Sequence, residues 1–330
     1  MRPRHLVDSS IRARARLALA GLAAALCFAL GAAVQFKPPT EQERTAALGQ
    51  TDGLPETLRR ALAPDDDFDP IPAPGPSDWL ASHREDGQTF DEFVRSHPNR
   101  PDQVRFRLYL QPLGEFATDQ GLSLDRLQQF AAAYFMMDVR VLPALNLTGS
   151  NITTRRNPYT GNTQLRTGDI LTLLRRHLPE DAFALLGITT IDLYPDDAWN
   201  FVFGQASLTD RVGVYSFARY DPRVPGQPPP PDSSALMLRR SCKVLAHETA
   251  HMFGIQHCVY FRCLVNGSNH LAESDSRPLH ECPVDLRKLQ HSIGFDVVAR
   301  YRRLYEFAQD AGFADEARRL KARVARIAPP

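Results

Sequence analysis

Hydrophobic and polar positions after residue 103 switch repeatedly between the two-residue period of a strand and the 3.6-residue period of a helix. The shorter period predicts strands at Val104–Leu110, Val139–Leu145, within Ala182–Leu193, at Asn200–Ala206 and at Val212–Ala218. The longer period predicts helices at Ser123–Phe135, Asp169–His177 and Ala235–Phe253, and near residues 283–291, 295–310 and 313–326. This alternation predicts an α/β domain over residues 104–330, with a helical C-terminal part.

Residues 36–103 are rich in proline and weakly patterned. Short helices are expected at Glu41–Leu48 and Pro55–Leu62, and PIPAPGP at 70–76 should be extended. Large apolar side chains are available as anchors at Trp79, Leu80, Phe90 and Phe93. We therefore expect an ordered segment that wraps over the domain following it.

Residues 1–35 join a basic stretch to an uncharged apolar run at 17–34, LALAGLAAALCFALGAAV. A basic flank, an apolar run and the small residues Gly31, Ala32 and Ala33 near its end fit a signal peptide, and the run is also just long enough for a membrane anchor. We expect export, or membrane attachment through residues 17–34. The alternatives are a cytoplasmic protein in which the run is a buried alanine-rich helix, and an extension from a misplaced start codon.

The composition is that of a folded protein whose net charge does not favour binding to a highly charged partner. The 330 residues suffice for one large domain or two ordinary ones, and 39 Lys plus Arg against 38 Asp plus Glu give a net charge of +1. This balance gives no electrostatic reason to expect binding to nucleic acid. Five cysteines are too few for a disulfide scaffold in a chain of this length.

We expect the protein to be a monomer.

The stretch HETAHMFGIQH at 247–257 has the spacing of a metal site. His247 and His251 are four residues apart, so a helix places them on one face. Glu248 points about 100° around the helix axis, where its carboxylate can reach a water on the metal without binding the metal. Gly254 can end the helix and reverse the chain, which would bring His257 back as a third ligand. Three ligands and a water form the open arrangement of catalytic zinc, whereas the alternative is a helix with solvated histidines.

A second cluster of soft ligands follows directly. Its cysteines are Cys258, Cys263 and Cys282. Thiolates at these spacings suit a closed structural zinc site, for which Asp285 is the candidate fourth ligand. His270 and His280 also lie nearby in the sequence, and the alternative is three buried thiols without a metal. Cys242 is expected to be a small core residue.

These two clusters resemble those of the archaemetzincins, a family of metzincin-type zinc peptidases. Segments such as WNFVFGQAS, GVYSFARYD and CPVDLRKLQ strengthen the resemblance, which extends from Phe36 to about Tyr301. It implies a metzincin-like zincin fold, in which a twisted mixed sheet lies over an active-site helix. It also implies an antiparallel edge strand along the cleft, for which Asn200–Ala206 is the candidate.

The resemblance further implies a catalytic Zn²⁺ on the three histidines, Glu248 as general base and a second, structural Zn²⁺. Two positions depart from the family pattern. Val265 stands where the family has the methionine beneath its catalytic zinc, and Asp285 stands where it has the last cysteine. Zinc accepts carboxylate oxygen, so Asp285 should weaken the second site rather than remove it.

The expected activity is hydrolysis of peptide bonds in a peptide or protein substrate. One alternative is a weak or inactive zinc-binding protein with a structural or regulatory role, which the two departures motivate. Another is a non-proteolytic hydrolase that uses the same three histidines.

Overall fold

The structure is a computed structural model that describes residues 36–114, 116, 123–222 and 232–328. Its strands are β1 (Arg107–Pro112), β2 (Asp138–Val141), β3 (Thr154–Arg156), β4 (Thr163–Arg166), β5 (Ala182–Thr189), β6 (Asp192–Tyr194), β7 (Gly204–Ala206) and β8 (Val212–Ser216). Its helices are α1 (Glu41–Leu48), α2 (Glu56–Leu62), α3 (Trp79–Ser82), α4 (Phe90–Arg95), α5 (Leu124–Phe135), α6 (Thr167–Arg176), α7 (Ser233–Met252), α8 (Leu271–Asp275), α9 (Pro283–Ile293), α10 (Val297–Asp310) and α11 (Ala314–Ile327).

The main sheet has the strand order β2-β1-β5-β8-β7. The first four strands are parallel, and β7 runs antiparallel to β8 at the edge. Every residue of β5 (AFALLGIT) is buried, as expected for a parallel strand that is covered on both faces. The sheet and its helices confirm the predicted mixed α/β fold.

A small sheet of β3, β4 and β6 was not predicted from the sequence. Its strands are three or four residues long, too short to display a period. The Gln164 amide of β4 binds the Asp192 carboxylate at 2.8 Å and the Asn200 carbonyl at 2.9 Å. The small sheet therefore fixes the start of the run that leads into β7.

Four predicted strands have different bounds in the structure. Those expected at Val139–Leu145 and Val212–Ala218 end earlier, at Val141 and Ser216. The strand expected from Val104 begins at Arg107, because the Asp102 carboxylate accepts the amides of Val104 and Arg105 and holds a local turn. The strand expected over Asn200–Ala206 is limited to Gly204–Ala206. Upstream of β7, Val202 pairs with β6 instead, so the chain crosses from one sheet to the other before β7 begins.

Helix α7 packs against β7, β8 and α5. Cys242 is buried in the core, as predicted, and Leu245 of the same helix is also buried. Just beyond the helix, the Phe253 ring lies 4.3 Å from the ring of Phe183 on β5. Gly254 then takes a φ of +85°, a left-handed conformation that glycine adopts without strain, and the chain reverses.

Residues 38–103 lie along the C-terminal helices, where α2 contacts α9, α10 and α11. The buried guanidinium of Arg323 in α11 binds the carboxylates of Asp65 and Asp67. The predicted C-terminal helices are confirmed as α9, α10 and α11. The apolar run at 17–34 lies outside the described residues, and none of the helices that are described is long and apolar enough to cross a membrane.

Candidate metal centre

A cleft of about 650 Å³ is bounded by β7 on one side and by α7 on the other. All residues from Asn200 to Ala206 line it, including those upstream of β7. Its aromatic lining consists of Trp79, Trp199, Phe201, Phe203 and Tyr220. The antiparallel edge strand thus borders the cleft, as predicted, although it is shorter than expected.

The three histidines of the motif converge on this cleft. His247 and His251 come from α7, and His257 comes from the loop after Gly254. Nδ1 of His247 lies 3.0 Å from the Leu264 carbonyl, and Nδ1 of His251 lies 2.7 Å from the Ile255 carbonyl. Because a carbonyl oxygen only accepts hydrogen bonds, both Nδ1 atoms carry the proton. Each Nε2 atom is therefore left with its lone pair.

These lone pairs fit a cation. The Nε2 atoms of His247 and His251 are 3.1 Å apart, and one ligand atom from each of the three histidines lies within 4.8 Å of the others. Tetrahedral zinc with bonds of about 2.05 Å has nitrogen–nitrogen edges of about 3.3 Å. Burial lowers the pKa of His251 to about 3 and that of His247 well below its ordinary value, so both rings are neutral, the form that binds metal.

Glu248 lies beside these histidines and is 4% exposed. Burial raises the pKa of its carboxyl group to about 8. The side chain packs directly on the backbone of β7, since a Cβ atom at Gly204 would lie 2.5 Å from Glu248 Oε1. The absence of a side chain at Gly204 thus gives the carboxylate its place between helix and edge strand.

Glu85 is a residue of the centre that sequence reasoning missed. Its Oε1 atom lies 2.6 Å from Nδ1 of His257 and 2.8 Å from Nε1 of Trp79. His257 is separated from Glu85 by 172 residues, and no motif marks a single glutamate in a proline-rich segment. Only the folded arrangement could reveal the contact.

The structure also brings the second predicted cluster together. Its four members, Cys258, Cys263, Cys282 and Asp285, are buried, and their ligand atoms all lie within 4.8 Å of one another. The Sγ atoms of Cys258 and Cys282 are 3.6 Å apart, and Asp285 Oδ2 is 3.2 Å from Cys263 Sγ. A tetrahedral zinc site with bonds of about 2.3 Å to sulfur has edges of about 3.8 Å, so these spacings fit zinc.

Asp285 has a second partner, which the sequence did not reveal. Its Oδ1 atom accepts a hydrogen bond of 2.9 Å from Nζ of Lys288, and both side chains are at most 1% exposed. The carboxylate can therefore bind a cation through Oδ2 while Oδ1 pairs with the ammonium group. The pair also makes Asp285 part of the buried core of α9.

The other candidate ligands lie elsewhere. His270 Nε2 is 3.2 Å from Asp78 Oδ1, and His280 packs edge-on against Phe68. Cys242 is a buried free thiol in α7 whose pKa is raised well above its ordinary value by burial. None of these three joins either cluster among the described residues.

Asp78, His270 and Glu273 also lie close together. The Glu273 amide donates to His270 Nδ1, so the ring proton is on Nε2 and points at Asp78. The Glu273 carboxylate accepts the amides of Trp79 and Asn269. Hydrogen bonds therefore account for this group without a metal.

Val265, at the position of the family's methionine, is fully buried. Its carbonyl accepts the Cys258 amide at 3.2 Å, and the neighbouring Leu264 carbonyl holds His247. The turn thus positions a histidine of the first cluster and a cysteine of the second through backbone atoms. These contacts do not depend on the side chain at residue 265.

Comparison with known proteins shows that this chain belongs to the zinc-dependent metallopeptidases. Residues 155–291 match the model of peptidase family M54. The chain is 41% identical over 287 residues to archaemetzincin-2 of Macaca fascicularis, an alignment that covers 78% of this chain and 79% of the relative. It is 36% identical over 259 residues to archaemetzincin-1 of Homo sapiens, covering 70% and 52% respectively. The chain therefore belongs to the archaemetzincin family.

A crystal structure of archaemetzincin from Methanopyrus kandleri is also similar. It shares 27% sequence identity with this chain at a TM-score of 0.45. The alignment covers 58% of this chain and 97% of the other.

Proposed function

We propose that His247, His251 and His257 hold a catalytic zinc ion and that Glu248 is the general base in peptide-bond hydrolysis. The observation that carries the proposal is the 3.1 Å separation of two unprotonated Nε2 atoms, on His247 and His251. Two lone pairs at this distance repel each other, and a cation bound between them removes the repulsion. The cleft beside them is large enough for a peptide segment.

Zinc at the three histidines would polarise the scissile carbonyl and provide a nucleophilic water at neutral pH. Glu248 takes a proton from the attacking water and later delivers it to the leaving amine. Burial raises the pKa of its carboxyl group to about 8, and a cation at the histidines opposes that shift. A pKa raised from the ordinary value of a glutamate toward neutral pH suits a group that both accepts and returns a proton.

The substrate is proposed to be an extended peptide. Among the residues that the structure describes, β7 pairs with β8 along one side only, so its other side can accept a peptide strand through main-chain hydrogen bonds. Past His251 and His257, the cleft continues into a groove of about 490 Å³ whose lining includes Leu208 and Gln256. Space on both sides of the histidines suits a chain molecule better than a compact substrate.

The direct test incubates the purified protein with a peptide library, with and without a chelator, and identifies the products by mass spectrometry. The proposed function predicts cleavage that the chelator stops and added Zn²⁺ restores. Zinc binding without any cleavage would support the alternative of an inactive zinc-binding protein, which Val265 and Asp285 motivate. Cleavage that survives complete removal of metal would contradict a zinc mechanism.

Gly204→Ala tests whether β7 positions the general base. A Cβ atom at this site would lie within 2.8 Å of the Glu248 carboxyl group and its Cγ, so the flexible side chain should move aside. We expect peptide cleavage to fall by about 100-fold, since a displacement near 1 Å can cost that much. Zinc content and the unfolding temperature should stay close to those of the parent.

The matched control is Gly168→Ala, because a Cβ atom there meets nothing within 4 Å. This variant should cleave peptides at the parent rate. If Gly204→Ala also keeps the parent rate, contact with Gly204 does not set the position of Glu248.

A further inference from the structure

The third histidine is held differently from the other two. His247 and His251 belong to α7, and main-chain carbonyls of the same part of the chain accept their Nδ1 protons. His257 lies beyond the helix end, and a side chain from residues 36–103, that of Glu85, accepts its Nδ1 proton. The orientation of His257 therefore depends on a remote segment of the chain.

Glu85 is itself fixed by its neighbours. Its Oε1 atom also accepts the indole proton of Trp79 at 2.8 Å, and the Trp79 ring meets the His257 ring edge-on at 5.3 Å. Gly267 leaves room for that indole, because a Cβ atom at Gly267 would lie 2.4 Å from it. The indole, the carboxylate and the imidazole thus form one packed unit.

The backbone on both sides of His257 is held by the same segment. The Gln88 side chain donates to the Gly254 carbonyl at 3.2 Å and accepts the Gln256 amide at 3.3 Å. Asn99 donates to the carbonyl of Met252, the last residue of α7, at 3.0 Å. The segment that contains Glu85 therefore braces the whole turn between α7 and His257.

We propose that Glu85 is a positioning residue for the catalytic metal centre, and that its side chain, together with those of Gln88 and Asn99, holds His257 in place for zinc. A carboxylate on the far nitrogen of a ligating histidine fixes the tautomer and the ring orientation, and it makes the ligand more basic. The inference rests on the proposed function only in taking His257 as a zinc ligand. It adds that the proline-rich segment forms part of the metal centre.

The test compares Glu85→Ala and Glu85→Gln with Asp86→Ala as the control. Asp86 is the next residue, and its side chain is 87% exposed, with its Oδ1 atom 3.7 Å from Nε of Arg84. Metal binding is measured by titration with Co²⁺ and by chelator competition for Zn²⁺. Cobalt bound to thiolates gives a near-ultraviolet charge-transfer band that histidine-bound cobalt lacks, so each site has its own signal.

Glu85→Ala should weaken metal binding at the histidine site by about 10- to 100-fold, the usual cost of losing such a partner. Glu85→Gln should lose less metal affinity than Glu85→Ala, because the amide oxygen can still accept both hydrogen bonds. Some loss is still expected, since the amide carries no charge. The thiolate band should be unchanged in both variants, which separates local positioning from general unfolding. Asp86→Ala should bind metal like the parent.

Parent-like metal affinity in both Glu85 variants would overturn the proposal. An equal loss in Asp86→Ala would also overturn it, because the effect would then reflect only negative charge near the cleft. Neither measurement requires peptide cleavage. A parent protein that binds metal but cleaves nothing would contradict the proposed activity and leave this inference standing.

Discussion

Glu248→Gln is expected to lower peptide cleavage by about 10²- to 10⁴-fold, the range in which general bases contribute. The amide has nearly the same shape, so it should fit between α7 and Gly204 as the carboxylate does. It cannot take a proton from water at neutral pH. The variant should keep its zinc, because Glu248 is not among the three convergent ligands.

His251→Ala is the contrasting variant. It removes one of the two nitrogens that lie 3.1 Å apart, so both zinc and cleavage should be lost. Zinc content by elemental analysis and initial cleavage rates distinguish the two cases. Cleavage by Glu248→Gln at the parent rate would show that another group is the base.

Asp285→Ala is expected to have the largest effect on stability. It removes a proposed ligand of the second metal, and structural zinc contributes directly to the free energy of folding. It also leaves the Lys288 ammonium group, 1% exposed, without its carboxylate. Breaking a buried ion pair from one side costs about 3–5 kcal/mol. Chemical denaturation should show at least this loss in the free energy of unfolding.

Two further variants separate these contributions. Asp285→Ala combined with Lys288→Met removes the unpaired charge. This double variant should regain the part of the free energy of unfolding that the broken ion pair cost, but it should still not bind the second metal. Asp285→Cys restores a thiolate and should tighten the second metal while leaving the histidine site largely unchanged. If the parent holds one zinc per chain and Asp285→Ala leaves that number unchanged, the second site does not bind metal.

Local spacing accounts for what the sequence could predict of the candidate site. The four-residue interval between His247 and His251 fixes their relation once a helix forms, and Gly254 then allows the reversal toward His257. Likewise, Asp285 is three residues from Cys282, so the two share the first turn of α9. Such contacts lie within one element and its adjoining loop.

Most of the missed features depend on contacts between distant parts of the chain. The pair of Asp285 and Lys288 is an exception, because these residues lie three apart in α9. Glu85 meets His257 only because residues 79–99 fold over the turn after α7. Gly204 meets Glu248 only because β7 packs against α7. The start of β7 was also misplaced, since the pairing of Val202 with Leu193 in the small sheet outweighs the alternating pattern.

Anomalous X-ray diffraction at the zinc absorption edge tests the metal centre most directly, using crystals of protein purified without added zinc. The account predicts a peak about 2.0–2.1 Å from Nε2 of each of His247, His251 and His257. It predicts a second peak among the sulfur atoms of the cysteine cluster and Asp285. A map without a peak between the three histidines, from protein that still cleaves peptides, would contradict the account.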